Sequence, residues 1–245
     1  MGAERPVSSL LAEGWDANAE AWIEWTRGGL DSYRDHKLAF LPLIPPPGRL
    51  TVDVGAGEGR VGRELQARGH RVLAVDRSLT MSRSAATHPE EPVPAVVADA
   101  VNLPLPDEVA DCVVAFMSLH DIDDVVPAIA EIGRILAVDG TLVMAIVHPL
   151  SSAGSFDRDA VGPAFPFIIR DAYTEARHYT TTRTRDGLSM TYHGVHRPLS
   201  AYTEALADAG LVIERLREHA TDDPASKWSR IPLFLHIVAS RRSAR

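Results

Sequence analysis

The sequence predicts an α/β fold, a mostly parallel sheet flanked by helices, from three observations. Residues 50–60 run as an apolar strand into a turn with glycines at 55, 57 and 59, and then into a helix. Further apolar runs at 71–76, 96–100 and 111–116 follow, separated by helical or turn-rich stretches, and the first two carry an acid at their carboxyl end, Asp76 and Asp99. After residue 198 the pattern reads helix, strand, strand, which closes a sheet.

Taken in order, residues 8–41 form an amphipathic helical preface in which Trp15, Trp22 and Trp25 recur at helical spacing, and Pro45-Pro46-Pro47-Gly48 breaks it from the first strand. This divides the chain into a helical cap, 1–47, and a core, 48–245. Residues 61–68 continue the first core helix, and Ser78 caps the second. Asp123 and Asp124 precede a helix with Pro127 in its first turn, where a missing N–H does no harm, and read as caps. Asp139-Gly140 turns the chain into a fifth strand, 141–147, ending at His148. The stretch 150–197 mixes glycine, proline, aromatics and histidines, and is expected as an irregular insertion forming part of a substrate lid. A helix entered at Pro198 and left at Gly210 leads to strands near 212–216 and 233–239.

Composition narrows the partners. The length suits one large domain, and the single cysteine, Cys112, lies in an apolar run and excludes an intrachain disulfide. No apolar leader follows Met1, no apolar run is long enough to span a bilayer, and Pro6 spoils the acylation signal that Met1-Gly2 begins, so a cytoplasmic protein is expected. The net charge of −8 argues against nucleic acid, since the only basic stretch, Arg177, Arg183 and Arg185, is sparse. A small molecule is the expected partner, without membrane or nucleic acid, and a homodimer is compatible with this. Lysine occurs only at 37 and 227, arginine elsewhere, a bias of GC-rich, bacterial coding.

Glycines at 55 and 57 let a ligand reach main-chain N–H groups, as in nucleoside-binding turns. The spacing is G-x-G-x-G, not the dinucleotide G-x-G-x-x-G, and Asp53 stands two residues before it, where it would repel a pyrophosphate and suit an ammonium. The stretch resembles motif I of the class I S-adenosylmethionine-dependent methyltransferases in its D-x-G-x-G-x-G form. The resemblance runs over roughly residues 50–240 and is closest to the ubiquinone/menaquinone-type small-molecule subgroup. It implies a Rossmann-like, seven-stranded, mostly parallel sheet with an antiparallel last strand and helices on both faces. It further implies S-adenosylmethionine as cofactor and methyl transfer to O, N or C of a metabolite, of the kind used in secondary metabolism. In that reading Asp76 accepts from the ribose hydroxyls and Asp99 from the adenine amino group. The Ala100 N–H faces the ring, and Met117 begins the segment that meets the methyl donor. Gly55, Gly57, Asp53, Arg60 and Arg77 complete the expected cofactor set. Taken singly, Asp76 and Asp99 also fit helix caps.

A hydroxyl acceptor must lose a proton, which an imidazole can take. His120 at the fourth strand tip is the first candidate base and His148 the second; with His193 and His196 they are also the expected substrate contacts, and a histidine that merely orients substrate is an equal reading of His120. A metal at His120, Asp121 and Asp123 is disfavoured because the acids have cap duties. Arg60 is expected on the cofactor carboxylate or on Glu64 one turn away. Trp22 or Tyr33 is expected either to pack on the sheet or to approach the sulfonium. Phe156, Phe165, Phe167, Tyr173, Tyr179 and Tyr192 suit a pocket for an aromatic metabolite. Two alternatives remain open, a cofactor-binding protein without methyl transfer and a nucleotide-dependent oxidoreductase.

Overall fold

The preface divides into three helices, α1 (Ser8–Ala17), α2 (Ala19–Arg27) and α3 (Tyr33–Phe40), with a 3-10 turn at Leu41–Leu43. Gly28 ends α2, and Gly29, at φ +65°, reverses the chain into α3. The computed structural model describes residues 8–157, 165–221 and 223–242; Met1, Gly2 and Pro6 lie outside them, as do residues 158–164 of the insertion. Trp25 on α2 and Phe40 at the end of α3 are almost fully buried. Each such side chain contributes about 2–3 kcal/mol of burial free energy, which fixes the cap to the core.

The core then runs β1 (Thr51–Val54), α4 (Arg60–Ala67), β2 (Val72–Asp76), α5 (Leu79–Ala86), β3 (Ala95–Val97), β4 (Ala110–Phe116), α6 (Val125–Ile135) and β5 (Leu136–Val147). It continues with α7 (Pro149–Ala153), β6 (Ser155–Phe156), β7 (Phe167–Ile168), β8 (Arg177–Arg185), β9 (Leu188–His196), α8 (Leu199–Asp208), β10 (Leu211–His219) and β11 (Phe234–Arg241). Seven strands form one sheet in the order β10-β11-β5-β4-β1-β2-β3, with β11 antiparallel to both neighbours and the other pairings parallel. The Rossmann-like sheet and its antiparallel last strand are therefore as expected.

Period-two alternation explains the layers. On β4, Val113 and Ala115 join the apolar layer under α6 and α8, whereas Cys112, Val114 and Phe116 join the layer under α3 and α4. All four residues of β1 are buried, as a central parallel strand covered on both faces requires. From β1 the chain moves outward through β2 to β3 and then crosses back to β4, so the strand order reverses between β1 and β4. Ligands of open α/β sheets bind at the carboxyl ends of strands beside such a reversal.

The insertion is more ordered than its composition suggests. β8 and β9 form a hairpin of two nine-residue strands, turning on Asp186 (φ +50°) and Gly187 (φ +81°). Two successive positive φ values make the primed turn whose twist matches the flanking strands. Outward threonines pair across it, Thr182 with Thr191 at 3.0 Å and Thr184 with Ser189 at 2.8 Å. The inner side packs under α1 and α2, where the Trp15 indole donates to the His193 carbonyl at 3.1 Å.

Candidate active site

The floor of the site is the turn after β1. Val54 leads into Gly55, whose N–H donates to the Val75 carbonyl at 2.8 Å, as does that of Ala56 at 3.1 Å, which folds the turn back over β2. Gly55 sits at φ +70°, and a Cβ there would lie 2.3 Å from that of Ser118, whose hydroxyl donates to the Val54 carbonyl at 2.7 Å. Gly57, at φ +57°, is different: a Cβ would enter open space with only the Trp22 indole nitrogen near, at 3.6 Å. The first glycine is needed by the protein, and the second leaves room for something that is not protein.

Asp76 at the tip of β2 closes the cradle. One carboxylate oxygen accepts from the Gly57 N–H at 2.7 Å and the other from the Ser78 N–H at 2.9 Å, so the acid shapes the turn and keeps lone pairs for a ligand. The cap at the start of α5 is Ser78, whose hydroxyl accepts from the Met81 N–H at 3.5 Å. Asp53 is 1% exposed, one of its oxygens has no partner, and burial, then the neighbouring Asp76, pushes it up to about 7. Burial raises Asp76 as well. Two acids raised in this way are relieved by a positive charge between them, so the cradle fits a cationic nucleoside and opposes a pyrophosphate.

Asp99 lies just beyond β3. It accepts from the Arg77 guanidinium at 3.0 Å and from the Val101 N–H at 3.2 Å, which explains the presence of Arg77 beside the cradle. Met117, at the tip of β4, holds φ +56°, a conformation rare for a side chain with a Cβ, and its N–H donates to the Ala145 carbonyl at 2.8 Å. Asp53, Gly55, Gly57, Arg60, Asp76, Arg77, Asp99, Ala100 and Met117 all line one cavity of about 1040 Å³. No group of three or more His, Cys, Asp or Glu side chains is placed to share a metal ion among the described residues.

Arg60 does not make the expected pairing with Glu64. Its guanidinium forms an ion pair with Asp31, between α2 and α3, while Glu64 pairs with Lys37. It also lies 4.3 Å from the Tyr33 ring centroid and 5.3 Å from that of Trp22, so the aromatic faces expected for a sulfonium are occupied by this arginine. Arg60 thus ties the cap to the first turn of α4. Trp22 and Trp25 both line the cavity, Trp25 with almost all of its surface buried.

The histidines separate sharply. His120, in a 3-10 turn after β4, lines the cavity; it is buried, and burial with the nearby Arg197 lowers it to about 3, so the ring is neutral. Its Nδ1 has no partner and its Nε2 lies 3.4 Å from an Asp121 oxygen. His148 is a correction: its Nδ1 accepts from the Leu150 N–H at 3.0 Å, capping α7, and its Nε2 reaches Glu218 at 3.0 Å, so neither nitrogen is available. His196 is fully buried between the Ser152 hydroxyl at 2.7 Å and the Tyr173 carbonyl at 2.9 Å. His193 faces α1, 3.3 Å from the Asn18 amide, and also lies outside the cavity lining. The expected cap role of Asp123 and Asp124 likewise fails. Asp124 makes no side-chain cap bond, and Asp123 bonds His178 of the hairpin at 2.9 Å.

Of the aromatics expected in a pocket, Phe156, Tyr179 and Tyr192 line the cavity; sequence reading missed the rest of the wall supplied by β8, where Thr181, Arg183 and Arg185 share one face with Tyr179 at period two. Gly194 on β9 opposes Tyr179 because a Cβ there would lie 2.6 Å from the phenol oxygen. Asp186-Gly187 was the available signal for this hairpin. His36, Lys227 and Trp228 also line the cavity without having been singled out.

Residues 52–144 match the model of a methyltransferase domain, a span that includes the glycine turn, both strand-tip acids and Met117. Over 101 residues the chain is 36% identical to a demethylmenaquinone methyltransferase of Thermobifida fusca, covering 40% of this chain and 43% of that one. The chain spans less than half the length of that curated relative. An S-adenosylmethionine-dependent methyltransferase from Mesorhizobium loti, 25% identical, superposes with a TM-score of 0.65 over 83% of this chain and 96% of its own. The cyclase SpnF, 17% identical, superposes at 0.66 over the whole of both chains, so the fold is shared between reactions and the chemistry is argued from the site. With the family model on β1 to β5 and a solved S-adenosylmethionine-dependent methyltransferase sharing the sheet, residues 52–144 carry a methyltransferase domain and the chain as a whole is similar to S-adenosylmethionine-dependent methyltransferases.

Proposed function

We propose that this chain transfers a methyl group from S-adenosylmethionine to an O, N or C atom of a small metabolite. The observation that carries the reading is the continuity of one cavity of about 1040 Å³ from the glycine cradle to an aromatic chamber beyond β5. That volume is at the upper end of the ~300–1,000 Å³ usual for small-molecule sites and accommodates a donor and an acceptor together. The bound cofactor supplies a methyl already activated by its positive sulfur.

The protein's own task is placement, since alignment of two bound reactants can supply about 7–11 kcal/mol of barrier lowering. Asp76 holds the ribose, the open face of Gly57 admits the ligand to the backbone, and the Asp53 carboxyl faces the positive charge. The cap, fastened by Arg60 to Asp31, keeps water from the reacting atoms. His120 lines the cavity with a neutral ring and an unpartnered Nδ1, which accepts a hydrogen bond from an acceptor hydroxyl or amine and orients it toward the methyl group.

The test is calorimetry with S-adenosylmethionine and NAD, followed by a search for S-adenosylhomocysteine formation over a panel of phenols, amines and carbon acids. Binding of the sulfonium with product from one acceptor supports the proposal. Binding without product from any acceptor points to a protein that uses the cofactor otherwise, and preference for NAD overturns the reading.

A further inference from the structure

Beyond the end of β5 and the start of β11 the cavity continues past the glycine cradle into a chamber walled by Val147, Phe156, Trp228 and Phe234. The cradle stands over β1 and β2, so at about 4.8 Å per strand β5 is about 14 Å from β2. Met117 at the tip of β4 lies between the two compartments. Val147 ends β5 opposite Phe234, which begins β11. The segments beyond those two strand ends, α7 with β6 and the 3-10 turn Lys227–Ser229, supply the remaining wall.

That wall is aromatic and carries one cation. Phe156 lies edge to face with Trp228 at 4.9 Å and with Phe167 at 5.1 Å, and Phe156 and Phe234 are nearly buried. The Lys227 ammonium stands over the Phe156 ring, 5.0 Å from its centroid. Phe156, Lys227, Trp228 and Phe234 all face the cavity. Among the described residues no carboxylate pairs with Lys227, nor with Arg183 and Arg185 on the β8 side of the cavity, whereas Arg60 and Arg77, on the cradle side, are matched to Asp31 and Asp99. His36, the histidine that packs against Phe234 here, is kept neutral by burial and by the neighbouring His219 and His236, so it adds no positive charge. In a chain of net charge −8, an unmatched ammonium at the edge of an aromatic box selects for what enters it.

We propose that the chamber binds a planar aromatic acceptor bearing an anionic group, its ring against Phe156 and Trp228 and its negative charge on the Lys227 ammonium. This deepens the methyl-transfer reading and rests on it for the word acceptor, while the recognition itself is a matter of binding. The ring gains apolar burial and edge-to-face contact. The anion gains an ion pair with the ammonium, which its neutral amide lacks, since the amide carbonyl only accepts a hydrogen bond, and which its cationic amine opposes.

The experiment uses the whole chain loaded with S-adenosylhomocysteine, and measures binding of cinnamate, cinnamamide and cinnamylamine by ligand-observed NMR and calorimetry. Cinnamate is expected to bind about tenfold more tightly than the amide, with the amine weakest, and the preference is expected to fall as salt rises. Lys227→Gln is expected to bring acid and amide together, and Phe156→Leu to weaken both equally. An equal response to all three probes, or a preference for the acid that survives in Lys227→Gln, overturns the proposal. Cofactor affinity measured on the same samples separates the two readings. Loss of S-adenosylhomocysteine binding with cinnamate selectivity intact defeats the transferase, and the reverse defeats the chamber.

Discussion

Replacing Gly57 by alanine separates what the cradle needs for folding from what it needs for its ligand. The residue sits at φ +57°, where an L side chain costs about 1–2 kcal/mol, yet the added methyl meets nothing closer than the Trp22 indole nitrogen at 3.6 Å. For a domain of this size each kcal/mol lowers Tm by about 2–4 °C, so a fall of about 2–8 °C is expected, with the fold intact. The same methyl stands where the ligand approaches the backbone, so S-adenosylmethionine affinity should drop at least tenfold, about 1.4 kcal/mol or more.

Gly55→Ala provides the contrast. Its Cβ would lie 2.3 Å from Ser118 Cβ, in addition to an unfavourable φ of +70°, and the serine holds the end of β1 through its bond to the Val54 carbonyl. Overpacking adds about 1–3 kcal/mol to the conformational cost, so this variant should melt well below Gly57→Ala. Thermal melts paired with calorimetry measure both quantities. Should Gly57→Ala bind the cofactor as the parent does, or should the two variants melt together, the division between a structural and a ligand-facing glycine is wrong.

Asp76→Ala should abolish cofactor binding in calorimetry and cost about 2–4 kcal/mol in urea unfolding, because it strips the acceptors from the Gly57 and Ser78 N–H groups; a variant that still binds would remove the acid from the cradle. His120→Gln should leave cofactor affinity within about threefold while lowering product formation on a hydroxyl or amine acceptor about a hundredfold, and unchanged turnover would make the ring a bystander. His236→Leu tests the histidines beneath the cap. His236 is 1% exposed, stacks on His219 and is lowered by burial, His219 and Arg217 to about 4, below its usual value. The unfolded chain therefore takes up this proton first as pH falls, and the stability present above about 6.5 drains away toward 4. Between about pH 7.5 and 5 that amounts to about 2 kcal/mol, which the leucine variant should not lose; parallel stability curves for the two proteins would refute it.

The parallel core was legible because local chemistry dictates it. Val52 and Val54 announce a buried strand, Gly55 and Gly57 a turn that needs positive φ, and Asp76 an acid at a strand tip, all within a short stretch of chain. The hairpin was not, because Thr180, Thr182 and Thr184 face outward and β8 shows no apolar alternation, leaving Asp186-Gly187 as its only mark. The expected pairing of Arg60 with Glu64 fails because the partner of Arg60, Asp31, is 29 residues away in another layer, and the i,i+4 neighbour Glu64 is taken by Lys37. The histidines show what position along a sheet edge cannot reveal. His120 and His148 both follow strand tips, yet the second has both nitrogens engaged by a helix end and a glutamate, while the first keeps an unpartnered nitrogen.

The same physics explains where recognition stops. The family match ends at residue 144, and it holds every residue of the proposed cofactor cradle, which in that proposal answers to a single ligand whose sugar and positive charge fix the side chains that can meet it. The aromatic chamber is assembled from Phe156 after β5 and from Lys227 and Trp228 before β11, all beyond that span. These segments are held by contacts distant in sequence, such as Arg177 donating to the Ala153 carbonyl at 2.8 Å and Arg197 to the Asp123 carbonyl at 2.6 Å, so their sequences are free to follow a different molecule. The proposed function thus places acceptor choice in the loops that follow the sheet and donor binding at its strand tips. Exchanging the 150–157 and 223–233 segments with those of a relative should move acceptor preference and leave cofactor affinity in place. A chimera whose cofactor affinity falls while its acceptor preference stays would show that the two compartments are not independent.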